Sequence, residues 1–219
     1  MSGSHRLGIG PRVIGVQIGR PKEYAFGTRV VRSAIGKTPV RGTIRFDRLG
    51  LDGDTQVNRR YHGGPERAVS VYPAEHLAEW SQAWNVRLEP GAFGENLTTL
   101  GLDERRVHIG DRFHFGSALL EVSQPREPCL NLASRIGRPD LIERIHQTRR
   151  SGWYMRVLEA GESAVGLPFV LVFEDPNRVT ISEALGVRLN KGSRRDEVRR
   201  LLGVPGLSSG WKVSLGRRV

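Results

Sequence analysis

Short runs of β-branched and apolar residues, each bounded by glycine, proline or a polar turn, recur through residues 12–173. Such runs are typical of β-strands. Many short strands at close spacing favour a closed or partly closed barrel over a sheet built from strand–helix–strand units. The predicted strands are Arg12–Ile18, Thr28–Ile35, Val40–Phe46, Arg67–Tyr72, Arg112–Phe115, Ala118–Ser123, Trp153–Leu158 and Phe169–Phe173.

Two segments with helical spacing interrupt this pattern. Pro73–Trp84 places Leu77, Trp80 and Trp84 on one helical face, and Pro139–Gln147 repeats the arrangement. Both open with proline, which is favoured in the first turn of a helix. We expect two helices at the periphery of the barrel.

The pattern changes after Asp175-Pro176-Asn177. Thr180 and Glu183 have the spacing of a capping box, which satisfies free backbone donors at the start of a helix. Ser193 and the pair Ser208-Ser209 can begin two further helices. The chain is therefore predicted to be mainly β, with a barrel domain at 1–175 and a small three-helix module at 176–219.

The charge and cysteine content exclude several classes of protein. The net charge is +11, which favours anionic partners, but the basic residues are dispersed, and this disfavours a nucleic-acid partner. One cysteine leaves no intrachain disulfide and too few thiolates for an iron–sulfur cluster. No segment approaches the ~20 apolar residues of a membrane span, and the N-terminus lacks the apolar core of a signal peptide. A soluble, cytoplasmic protein is expected.

The sharpest candidate for chemistry is the segment Gln124-Pro125-Arg126-Glu127-Pro128-Cys129. Each proline pushes the preceding residue toward an extended conformation, so the segment should form a stiff loop that fixes the direction of a thiolate. Arg126 would favour the ionised form of Cys129, and thiolates suit thiophilic metals. The alternative is a buried structural cysteine, because free cysteine often acts as a small hydrophobic residue.

Three other segments carry polar groups in suggestive patterns. Residues 58–65 combine two arginines, a histidine and a glycine pair, and this pattern fits either an anion cradle or a polar hairpin. Glu95 and Asn96 lie among glycines, where an amide can contact a heterocycle edge or form part of an Asx turn. Arg156 follows Trp153 and Tyr154 on a predicted strand.

These segments occur in an order that resembles the MOSC-domain proteins, and among them the YiiM-type subfamily. The resemblance covers nearly the whole chain from Val13. The ordered set, which is far more specific than any one motif, is Ala34 to Val40, Gly50 to Gln56, His62-Gly63-Gly64, Ala68 to Tyr72, Glu75-His76, Trp80, Gly91 to Thr99, Gly110-Asp111, Gln124 to Cys129, Gly152 to Val157 and Gly206 to Trp211.

The resemblance implies a β-barrel that binds the molybdenum cofactor, with Cys129 as the thiolate ligand of molybdenum. Asn96 matches the asparagine expected beside the pterin. His62, Gly63 and Gly64 match a segment expected near the cofactor, and Arg126 and Arg156 match arginines that would face its phosphate. One departure is Asn131, where the subfamily often has lysine, so a charge-based role at that position is in doubt.

The resemblance also implies reduction of N-hydroxylated substrates, such as 6-hydroxylaminopurine-type base analogues, hydroxylamines and amidoximes, to amines. Glu95 and His62 are candidate proton donors. The chain has too few cysteines for an iron–sulfur cluster. Gly8-Ile9-Gly10 is not followed by a glycine at position 13, so the dinucleotide fingerprint is incomplete. Electrons should therefore come from a separate flavodoxin- or ferredoxin-type protein. Two alternatives are a sulfur carrier with a persulfide on Cys129 and a noncatalytic structural barrel.

Overall fold

The computed structural model describes residues 10–57 and 63–219. Its central feature is a curled sheet of eight strands: β1 (Arg12–Gly19), β4 (Lys37–Pro39), β7 (Val69–Pro73), β8 (Leu97–Leu100), β9 (Arg112–Phe115), β10 (Ala118–Pro125), β11 (Trp153–Glu159) and β13 (Phe169–Phe173). Their order across the sheet is β13-β9-β10-β11-β7-β8-β1-β4.

The two ends of the curled sheet approach each other, because the start of β13 contacts the start of β1. Phe169 donates its backbone N–H to the carbonyl of Pro11 at 2.9 Å, and an isolated bridge joins Arg12 to Pro168. The interior contains aliphatic side chains and aromatic rings, among them Phe113 and Phe169, which stack with centroids 4.6 Å apart. The predicted mainly-β, barrel-like architecture is confirmed.

Two smaller sheets flank the main one. β5 (Thr43–Asp47) pairs with β6 (Gly50–Leu51) and with β12 (Gly161–Ala164). β2 (Lys22–Phe26) and β3 (Arg29–Ser33) form a separate, largely exposed hairpin. The sequence pattern predicted β3 and β5 with approximately correct bounds. It missed β2, β4, β6, β8 and β12, which are short or rich in polar residues.

Three helices lie beside the sheet: α1 (Ala74–Trp84), α2 (Leu130–Ile136) and α3 (Leu141–Thr148). The helices α1 and α3 match the two predicted ones to within two residues. The prediction missed α2, which begins immediately after Cys129. These helices enclose a second apolar cluster in which Tyr72 stacks on Phe93 with ring centroids 4.2 Å apart.

The last three helices are α4 (Ile181–Leu189), α5 (Arg195–Leu202) and α6 (Ser209–Gly216). The predicted capping box is present, since Thr180 Oγ1 accepts from Glu183 N and Glu183 accepts from Thr180 N. Their apolar faces join the barrel's own core: Leu185, Leu201 and Trp211 are buried in the same cluster as Phe113. The domain boundary after residue 175 stays a prediction. One continuous core includes residues from both sides of it.

In the part of the chain that the structure describes, none of the helices combines the length and apolar character that a membrane crossing requires.

Gly206 provides a test of how closely the C-terminal helices pack on the barrel. A Cβ at this position would lie 2.5 Å from the Cα of Gly110, which is a backbone atom that cannot swing away. Gly206→Ala should lower the free energy of unfolding by about 1–3 kcal/mol, the usual cost of overpacking. Urea unfolding checks this, with Gly216→Ala as control, because a Cβ there meets nothing within 4 Å. Equal stability of the two variants would contradict this packing.

Candidate functional site

A cavity of about 430 Å³ lies between the β2–β3 hairpin, the segment after β6 and the loop that carries Cys129. Buried charge, hydroxyl groups and aliphatic side chains all contribute to its wall. The residues that line it are Val31, Arg32, Ser33, Ala34, Ile35, Lys37, Asp54, Thr55, Gln56, Val57, Arg67, Ser70, Gly94, Asn96, Arg126, Glu127, Pro128, Cys129, Asn131, Leu132, Ile145, Ser151 and Tyr154.

Cys129 is held at the start of α2. Its backbone is extended, with φ −122° and ψ 162°, and its carbonyl accepts from Leu132 N at 3.0 Å and Ala133 N at 3.2 Å. The loop before it leaves β10 after Pro125, as the two prolines predicted. The thiol is free and half-buried. A half-buried thiol on a cavity wall is accessible to a ligand in the cavity.

Arg126 lines the same cavity as the thiol and is anchored from several sides. Its backbone N–H donates to Gly152 O at 3.1 Å, and its Nη2 donates to Phe93 O at 2.6 Å. Its guanidinium is 6.0 Å from the Tyr72 ring centroid and 5.9 Å from that of Tyr154. Nη1 is buried and has no hydrogen-bond partner among the described residues. A buried cationic donor without a partner is costly, and an anion in the cavity would satisfy it.

Lys37 is a second buried cation in the cavity wall. Its Nζ lies 2.6 Å from Oδ1 of Asp54, and both side chains are almost wholly buried. Burial lowers the pKa of Lys37, and the neighbouring Asp54 opposes that shift. The same Oδ1 accepts from Gly19 N at 2.6 Å, so one carboxylate oxygen serves two donors. Neither Lys37 nor Asp54 was predicted to have a role, because nothing in the chain between them reveals that they pair.

Asn96 lies on the cavity wall, but its side chain is already engaged. Its Oδ1 accepts from Ser70 N at 3.1 Å and from Ser70 Oγ at 2.8 Å, and its Nδ2 donates to Gln17 O at 3.2 Å. The amide thus ties β7 to β1 next to the cavity. Contact with a pterin stays a proposal for this residue.

Glu95, a predicted proton donor, lies away from the cavity surface, and proton donation stays a prediction for it. It is fully buried, and it does not line the cavity. Its carboxylate accepts from Gly91 N at 2.6 Å, Phe93 N at 3.0 Å and Thr98 Oγ1 at 2.8 Å. Three donors inside the protein hold this carboxylate as the internal brace of the glycine-rich loop.

Arg156 also lies away from the cavity. Its Nη1 contacts Glu121 at 2.7 Å and its Nη2 contacts Glu66 at 3.3 Å. The guanidinium that was expected to face a phosphate is thus paired with two carboxylates. Gly63 and Gly64 precede a short 3-10 helix at Pro65–Arg67 and do not line the cavity. The predictions for His62 fall outside the described residues.

The C-terminal helices contact two segments next to the site: the loop of Cys129, at Glu127, and the short 3-10 helix, at Glu66. Arg188 of α4 lies 2.6 Å from Glu127, two residues before Cys129, and its guanidinium is 5.5 Å from the Trp211 ring centroid. Ser209 donates its backbone N–H to Glu66 at 2.9 Å and its hydroxyl at 2.6 Å. The three-helix module is therefore part of the framework around the cavity.

The bracing role of Glu95 predicts a stability effect. In Glu95→Gln, an amide NH₂ would face backbone donors, and the free energy of unfolding should fall by about 1.5–3 kcal/mol, the range for a lost bond to a charged group. Chemical denaturation measures this, with the exposed Glu159→Gln as control. Unchanged stability of Glu95→Gln would contradict the brace.

Comparisons with known proteins agree with this architecture. The MOSC domain family matches residues 58–170. YiiM of Escherichia coli is 38% identical over 189 residues, which are 85% of this chain and 84% of that protein. A crystal structure of YiiM from Geobacillus stearothermophilus superposes with a TM-score of 0.82 at 33% identity, covering 95% of this chain and 98% of that chain. A Gibberella moniliformis protein named Reductase is 41% identical over 157 residues, which are 69% of this chain and 27% of that protein.

The matched family region contains both the glycine-rich loop and the loop of Cys129, while the likeness to the YiiM proteins extends over the C-terminal helices as well. The chain therefore belongs to the MOSC-domain family and is of the YiiM type.

Proposed function

We propose that this protein is a molybdenum-cofactor-dependent reductase that converts N-hydroxylated compounds to amines. The observation that carries the proposal is one cavity that joins the free thiol of Cys129 to the cationic side chains of Lys37 and Arg126. Membership of the MOSC-domain family and the name of the fungal relative support a redox role.

The residues of the cavity fit such a cofactor chemically. A thiolate is a ligand that suits a thiophilic metal. The buried Nη1 of Arg126 lacks a partner among the described residues, and Lys37 is a second donor, so a phosphate group would satisfy both. Cys129 would hold the metal, Arg126 and Lys37 the phosphate, and the wall around Asn96 the pterin.

The net reaction balances as R–NHOH + 2 e⁻ + 2 H⁺ → R–NH₂ + H₂O. When bound, the molybdenum centre supplies the acceptor for the substrate oxygen. This chain's own contribution is to orient the groups and to exclude water, for which the aliphatic wall of Ile35, Leu132 and Ile145 is suited. His62 stays the proposed proton donor, since Glu95 braces the loop.

The electrons are proposed to come from a separate acidic redox protein. The only cysteine is the proposed metal ligand, and the sequence lacks a dinucleotide fingerprint. Turnover by the purified protein with a nicotinamide cofactor alone would contradict this part of the proposal.

The decisive experiment removes the thiol. Cys129→Ser should lower molybdenum content and reduction of 6-hydroxylaminopurine to background, because a serine hydroxyl is a poor replacement for a soft thiolate. Wild type and variant are expressed in a host that makes the cofactor, then analysed for metal and assayed with reduced methyl viologen. Ser134→Ala, an exposed change on the same helix, is the matched control and should leave both values unchanged.

Retained molybdenum together with retained activity in Cys129→Ser would overturn the assignment. The sulfur-carrier alternative has its own signature: wild-type protein would release cyanolysable sulfur and contain no molybdenum.

The phosphate anchor can be tested separately. Arg126→Met removes the unpartnered donor and should reduce cofactor retention roughly tenfold or more, the scale of lost supporting contacts in metal sites. Retention is measured as molybdenum remaining after extended dialysis. Arg87→Met, on the exposed surface, should retain the wild-type amount; equal retention by both variants would show that Arg126 is not an anchor.

A further inference from the structure

The position of the cavity mouth follows from the exposure of its lining. Arg32, Val57 and Glu127 are the exposed members, so the cavity meets solvent between the β2–β3 hairpin and the loop of Cys129. Leu130, the residue after Cys129, is 64% exposed. A partner that seats on this mouth would therefore come close to the thiol.

Exposed positive charge lies on the hairpin and the helix that border the mouth. Lys22, Arg29 and Arg32 on the hairpin and Arg135 on α2 are exposed, and none forms an ion pair with a described carboxylate. Arg135 belongs to the same surface, since its guanidinium lies 6.0 Å from the ring centroid of Tyr24 on the hairpin. The mouth therefore carries a positive field that can steer an acidic protein.

The carboxylates of Glu127 and Glu23 reduce this charge little. Glu127 is paired with Arg188 at 2.6 Å, so its negative charge is largely offset. Glu23 is the cross-strand neighbour of Arg32, which leaves one acidic residue against three basic ones on the hairpin.

Exposed aliphatic side chains complete the surface. Val57 is 43% exposed and Leu130 64% exposed, on two sides of the opening. Apolar side chains bounded by charge are typical of protein docking sites. They also suit the flat, apolar edge of an isoalloxazine ring.

We infer that the mouth rim, formed by Lys22, Arg29, Arg32, Val57, Leu130 and Arg135, is the docking surface for an acidic flavoprotein of flavodoxin type. This inference rests on the proposed function. Two flavin hydroquinones, each oxidised to the semiquinone, supply the two electrons that R–NHOH consumes, and the two protons are taken up from solvent. The encounter is expected to be small and salt-sensitive, as transient redox complexes are.

The test compares two charge reversals of equal size. Arg29→Glu/Arg135→Glu changes the rim, whereas Arg195→Glu/Arg199→Glu changes exposed arginines on α5, which does not line the cavity. A bacterial flavodoxin is titrated against each variant at low and at physiological salt. The rim variant should raise Kd about tenfold or more and flatten its salt dependence, and the α5 variant should change Kd by less than about twofold.

Turnover separates docking from chemistry. With reduced flavodoxin, kcat/KM should fall in the rim variant in proportion to the loss of binding. With reduced methyl viologen, which needs no docking surface, it should equal that of wild type. The milder Arg29→Ala/Arg135→Ala variant should give an intermediate Kd, and it replaces the reversal if that variant does not fold.

Three results would overturn the inference: equal weakening in both reversal variants, no binding of flavodoxin by wild type, or tighter binding of a single-stranded oligonucleotide that the rim variant abolishes. No turnover of wild type with methyl viologen would instead overturn the proposed function, since the binding comparison requires no catalysis.

Discussion

Arg126 joins the parts of the molecule that form the cavity, and it does so with a charge that is only partly satisfied. Its backbone binds the carbonyl of Gly152, its side chain reaches the carbonyl of Phe93, and its guanidinium lies near two tyrosine rings. The same contacts fix the direction in which the chain continues to Cys129. Since none of these neighbours is a carboxylate, the positive charge stays available to an anionic ligand.

The glycine-rich loop can receive Arg126 only because Glu95 shapes it. The Phe93 carbonyl that accepts from Arg126 belongs to a residue whose own N–H donates to Glu95. Gly94, at φ +69°, has a conformation that favours glycine, and a Cβ there would lie 2.9 Å from Ile35. The buried anion of Glu95 and the partly buried cation of Arg126 thus both bind the backbone of this loop.

The parts of this arrangement differ in how readily sequence reveals them. Strands such as β1 and β9 follow from the local pattern of apolar residues, and the start of α4 follows from Thr180 and Glu183, because these signals act over a few residues. The stiff loop before Cys129 follows from its two prolines for the same reason. The strand β8 was missed because Thr98 and Thr99 are polar yet buried, and burial is decided by the surrounding fold.

Pairings between distant residues could not be predicted from local pattern. Lys37 and Asp54 form a buried pair across 17 positions, and Arg156 is drawn to carboxylates at positions 66 and 121. Motif matching placed Arg156 in the site because it compares residue types, whereas the position of a guanidinium depends on which carboxylate the fold brings to it. Glu95 was assigned to proton transfer for a similar reason, since its three donors are provided by the folded loop.

The C-terminal helices gain a functional meaning from these charges. Without Arg188, Glu127 would place an unpaired negative charge on the wall of the cavity, two residues from the thiol and at its mouth. Such a charge would oppose an anionic ligand inside and an acidic partner outside. Because Arg188 is itself held by Trp211 and Ser214, the module presents the guanidinium in a fixed position. The module therefore supports the site electrostatically as well as through the core that it shares with the barrel.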